Sequence, residues 1–115
     1  MATLTVQDIV STGLEATYAA AAGGGDEFPN NDRTFLQAVN GATDCNITIT
    51  AQKTAVSVPG FGTITLANIA VLCTANEERM ISAPPAIYND GNGKAQVTYD
   101  DVTNVTVAAI QLPAA

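Results

Sequence analysis

The sequence has no histidine and no tryptophan, and only 4 of its 115 residues are lysine or arginine. Without histidine it lacks the side chain most used for acid–base and metal chemistry near neutral pH. The four cations, Arg33, Lys53, Arg79 and Lys94, are scattered, and the net charge is -7. Clustered cations are what a nucleic-acid backbone or an anionic membrane surface requires, so both partners are excluded. Charged residues make up 13% of the chain, well below the roughly 25% of an average globular protein. No apolar run approaches the ~20 residues of a membrane-spanning helix. Met1–Thr5 has no basic region followed by an apolar stretch, so no signal peptide and no secretion are expected.

Alternating Thr, Val and Ile is abundant, as in Asn46-Ile47-Thr48-Ile49-Thr50 and Thr63-Ile64-Thr65-Leu66. β-branched residues at period two are sheet material. The chain is long enough for one domain with its own core. Strands are expected at Thr34–Val39, Cys45–Thr50, Ala55–Val58, Gly62–Leu66, Ile69–Thr74, Arg79–Ala83, Ala95–Tyr99 and Asn104–Leu112, with Ile64 and Leu66 facing inward. Turn signals separate them at Asn40-Gly41, Pro59-Gly60, Pro84-Pro85 and Asn89–Lys94. The last strand changes phase: Val105 and Val107 share one parity, Ile110 and Leu112 the other. A bulge near Ala108-Ala109 or a change of sheet face would account for this. The expected fold is all-β, a single antiparallel β-sandwich, jelly-roll-like, over residues 34–115. Residues 1–33 are expected as an irregular N-terminal arm packing on it. Thr5-Val6-Gln7-Asp8 has the form of a capping box, which predicts a short helix ending at Gly13.

Candidate chemical sites are few. Asn89-Asp90-Gly91-Asn92-Gly93 offers one carboxylate, where calcium takes six or more oxygens, so a tight turn is expected. Asp26, Glu27, Asn30, Asn31 and Asp32 form a denser oxygen cluster, read as a loop of Asx turns before a cation site, with Arg33 beside Asp32 at its exit. Gly23-Gly24-Gly25 runs into acids, unlike a phosphate loop. Asp100-Asp101 and Glu77-Glu78 are adjacent on the chain, so on a strand they point apart and form no acid–base pair. Cys45 and Cys73 both fall on core parity, which leaves two buried thiols or a cross-strand disulfide. No enzyme, cofactor, metal or small-molecule substrate is expected.

Four segments carry a family resemblance. They are Leu4-Thr5-Val6-Gln7-Asp8, the run Gly25 to Asn40, Glu78-Arg79-Met80-Ile81, and Ile87-Tyr88-Asn89-Asp90 followed by Val97-Thr98-Tyr99. Together they resemble short proteins of tailed-bacteriophage structural modules, the head decoration (cement) proteins. The Cys45 and Phe61 regions stand outside the pattern. The resemblance implies a non-catalytic virion protein on the outer capsid surface, present in the host cytoplasm during assembly. It would bind the major capsid protein of the expanded lattice, as a homotrimer. The arm is the expected gripping element, with Tyr18, Phe28, Pro29, Asp32 and Arg33 as capsid-binding residues. An equal alternative has Tyr18 and Phe28 plugging the protein's own core. Rival functions are a neck, tail or fibre-associated virion protein and a carbohydrate-binding adhesin domain, the latter disfavoured by having only three Tyr and three Phe.

Overall fold

The computed structural model describes residues 2–113. Twelve strands and one short helix follow in order: β1 Ala2–Thr3, β2 Val6–Asp8, β3 Ala19–Ala20, β4 Asp26–Pro29, β5 Thr34–Val39, β6 Cys45–Ile49, β7 Ala55–Val58, β8 Gly62–Thr65, β9 Ile69–Cys73, β10 Glu78–Ile81, α1 Pro85–Tyr88, β11 Lys94–Tyr99 and β12 Thr106–Gln111. A first sheet has the order β1-β4-β11-β6-β9. A second has the order β10-β5-β12-β2, with β3 also on β12, and β7-β8 form a separate ribbon. From β4 onward, successive strands mostly alternate between the two large sheets.

One apolar cluster draws on both sheets. Phe28, Cys45, Ile47, Ile49, Cys73, Ala95 and Val97 come from the first, and Leu36, Ala38, Ile81, Val107 and Ala109 from the second. The period-two pattern produces this directly, since alternate residues of each strand share a face. All-β is therefore the architecture.

The sheets are mixed, not purely antiparallel. β1 runs parallel to β4 and β2 runs parallel to β12. Both are short N-terminal strands paired with segments that no tight hairpin ties to them, so direction is unconstrained by a turn. The predicted N-terminal helix is absent: Val6–Asp8 is strand. A two-turn helix is marginal on its own, whereas here the backbone gains a ladder on β12, extended by the Ile9 amide donating to the Gln111 carbonyl at 2.9 Å. Gly13, with φ +96°, closes a tight turn onto Val10 instead of stopping a helix.

Residues 2–33 are not a separate layer. They supply β1 to β4, and Leu4, Ala21 and Phe28 enter the shared core. β12 contains no bulge, because its register with β5 is unbroken from Thr106↔Val39 to Gln111↔Thr34. Its phase change has another cause. Val105, Val107 and Ala109 face the core, while Ala108 and Ile110 are buried on the opposite face. Both faces of this strand are covered, so both parities are apolar.

The stretch from Cys45 to Cys73 is one long hairpin interrupted by a step. β6 pairs β9 from Cys45↔Cys73 to Ile49↔Ile69, and β7 pairs β8 from Ala55↔Thr65 to Val58↔Gly62. The distal half leaves the core. Ile64, expected inward, is exposed, and Leu66 is only half-buried, because no second sheet lies over β8. The radius of gyration is 15.0 Å and the extents are 48 × 36 × 22 Å. A chain of this length packed to ordinary compactness would have a radius near ~13 Å.

Candidate functional site: an apolar face under the N-terminal arm

The second sheet presents an outer face with an unusual composition. β5 contributes Phe35 and Gln37, β12 contributes Ala108 and Ile110, and β10 contributes Met80. The register sets Phe35 against Ile110, and Gln37 between Met80 and Ala108. A solvated sheet face would be Thr, Lys or Glu here.

The chain between β2 and β3 lies across part of this face. Ile9, Leu14, Ala16 and Tyr18 border an open hollow of about 300 Å³ over Phe35, Gln37, Met80 and Ile110. Gln7 holds the crossing in place: its Nε2 donates to the Thr17 carbonyl and its Oε1 accepts the Thr17 amide, both at 2.8 Å. One side-chain amide thus does what a strand's peptide group would do. On the other side of the crossing, Thr3, Leu4, Thr5, Gln7, Thr17 and Tyr18 border a groove of about 400 Å³ against Val107, Ala108 and Ala109. Tyr18 stands between the two spaces. Beyond Met80, a third hollow of about 280 Å³ runs between Phe35, Met80 and Leu112, with Asp32 and Arg33 on its rim. Met80 is 66% exposed, and Tyr18 and Leu112 are also exposed.

Three of the five residues expected to bind capsid, Tyr18, Asp32 and Arg33, border this region. The other two do not. Phe28 is fully buried in the core, so it plugs this protein and presents nothing outward. Pro29 is exposed on β4, at the first sheet. Arg33 turns away from Asp32: its guanidinium donates to the Leu112 carbonyl at 3.1 Å, where its backbone carbonyl also accepts the Leu112 amide at 2.8 Å.

The oxygen cluster at 26–32 is dispersed by strand alternation and turn formation. Asp26 points inward, where its carboxylate accepts the Tyr99 hydroxyl at 2.8 Å. Burial, then that hydrogen bond, drives the Tyr99 pKa far above its ordinary value. Glu27 faces Lys94 at 3.8 Å, and the Asn31 amide oxygen accepts from the Arg33 amide and the Thr34 hydroxyl. The 89–94 loop is a turn. The Asp90 carboxylate accepts from the Gln96 side chain and from the Asn92 and Lys94 amides, which lowers its pKa in that order of effect. Asp100 is lowered by its bonds to Asn46, and Glu77 by its hydrogen bond and ion pair with Arg79. These carboxylates are tied up in holding loops. Cys45 and Cys73 are directly opposed, buried free thiols, and burial raises both pKa values. Among the described residues, no group of three or more His, Cys, Asp or Glu is placed to hold a metal.

Phe35, Met80, Ile110 and Leu112 escaped the sequence reading as site residues. Their signal was the phase change in the last strand, which marks a strand apolar on both faces. Comparison with protein-family models, with curated proteins and with solved structures gave no match.

Proposed function

We propose that this chain is a virion structural protein that decorates the expanded capsid of a tailed bacteriophage by binding the major capsid protein lattice, on a jelly-roll-like β-sandwich. The family resemblance of the four segments supplies the role. The observation that carries the reading is the outer face of the second sheet, where Tyr18, Met80, Phe35 and Leu112 offer apolar surface with almost no charge to desolvate. Arg33 and Asp32 at its end would fix orientation. A lattice multiplies weak contacts, so each copy needs only modest affinity.

Quantitative mass spectrometry of purified particles tests the role. A copy number of the same order as the major capsid protein is expected, whereas a few copies per hundred would mean a neck or tail protein. Co-sedimentation with expanded capsids tests the surface. Met80→Asp, at an exposed position, should keep the fold and weaken capsid binding at least tenfold, since it places an unpaired charge in the contact. Full-strength binding by that variant would remove this face from the reading.

A further inference from the structure

The edge strands of the two large sheets are not alike. β3, which also pairs β12, has two residues. β1 has two residues. β2 is short, ends in Asp8 and is flanked by the Gln7 clamp. β10 carries Glu78 and Arg79. Shortness and charge are the usual means of blunting an edge. β9, Ile69-Ala70-Val71-Leu72-Cys73, has neither, and it ends the first sheet with β6 as its only strand partner among the described residues. Residues 54–76 contain no charged side chain at all.

The ladder shows which groups are free. Asn46 directs its backbone toward β11: its amide donates to the Asp100 carboxylate at 2.7 Å, and its carbonyl accepts the Asp100 amide at 3.2 Å. Its neighbours Cys45, Ile47 and Ile49 therefore bond β9, through Cys73, Val71 and Ile69. The N–H and C=O groups of Ala70 and Leu72 consequently point out of the sheet. The side chains of both are exposed, Leu72 at 47%.

We infer that β9 pairs antiparallel with β9 of a second copy of this chain, across a twofold axis at Val71. Ala70 of each copy then lies opposite Leu72 of the other. That alignment matches outward N–H groups to outward C=O groups on both sides, because 70 and 72 are the positions with free groups. Ile69 and Val71 continue the core-side row across the junction. The outward groups of 70 and 72 are symmetric about Val71, so the edge is complementary to itself, and charge does not oppose the contact there. Two copies at net charge -7 repel, and the neutral stretch 54–76 is where they can approach without opposing carboxylates. The contact is isologous and closes on itself, so it yields a dimer and no filament. It does not rest on the virion reading, and a dimer in solution departs from the homotrimer that the family resemblance implies.

Sedimentation equilibrium of the purified protein, without capsids, tests it. The wild type should show a monomer–dimer equilibrium, and amides 70 and 72 should become protected from hydrogen exchange as concentration rises. Leu72→Pro removes an outward donor that the fold does not use, and edge strands tolerate proline there. It should weaken dimerisation at least tenfold with unchanged circular dichroism. Ala70→Lys should do the same, although it reduces the net negative charge and so lowers the general repulsion. A dimer unaffected by both, or one whose 70 and 72 amides exchange as in the monomer, would overturn the pairing. A monomeric wild type would also overturn it, leaving the edge to an extended strand of another protein.

Discussion

Phe28 and Phe61 are the same side chain in opposite circumstances. Phe28 is fully enclosed among strands of both sheets, and Phe61 is 85% exposed at the tip of the β7–β8 ribbon. Phe28→Ala removes a ring whose cavity the surrounding strands cannot close, so a loss of about 3–5 kcal/mol is expected. Phe61→Ala should change stability by no more than about 0.5 kcal/mol. Urea unfolding of the two variants side by side checks both figures. Tyr99 and Asp26 provide a second test. The Tyr99 pKa is raised above its ordinary 10.0 in the folded state, so the folded protein resists losing that proton. The resulting stability is fully present below about pH 10 and declines as pH rises beyond it, where the unfolded chain ionises first. Tyr99→Phe should flatten this decline relative to wild type. It should also cost about 1–3 kcal/mol at neutral pH, because the buried Asp26 carboxylate loses a donor. Denaturant titrations between pH 7 and 11 give both readings.

Among the elements, the long hairpin divides into two unequal parts. β6 and β9 each have one row of side chains in the core, and β6 is paired on both sides. β7 and β8 have only each other, and every residue of β8 is exposed. A two-stranded ribbon without a covered face is marginal in water. Amides of 55–58 and 62–65 should therefore exchange orders of magnitude faster than those of 45–49, in the monomer, by hydrogen-exchange mass spectrometry. Equal protection would mean that the ribbon is covered in solution. The N-terminal crossing depends on a different device. Its regular pairing is brief, and the two bonds of Gln7 to Thr17 bridge the gap between β2 and β3.

The whole molecule is elongated because the ribbon extends past the shared core. Its surfaces differ in kind: an apolar face crossed by the arm, a neutral open edge at β9, and acidic loops locked into turns. If the apolar face grips a lattice and the edge joins copies, the two functions occupy different sheets and do not compete.

The strands were legible in residues such as Ile47, Ile49 and Val97, since a side-chain period of two is a property of the backbone itself. Turns at Asn89–Lys94 were equally legible, because Asp and Gly favour those dihedrals locally. The scarcity of cations and the lack of histidine are also properties of the sequence alone. Tertiary structure decided what local preference could not. Val6–Asp8 became strand because β12 offered a ladder worth more than two turns of helix. Phe28 became core and Tyr18 surface, though both lay in one presumed arm, because strand alternation and the crossing point set their directions. Ala108 and Ile110 made β12 change phase because a distant segment covers its outer face. Pairing partners, and which sheet edge remains open, depend on contacts between residues far apart in the chain, and no local pattern encodes those.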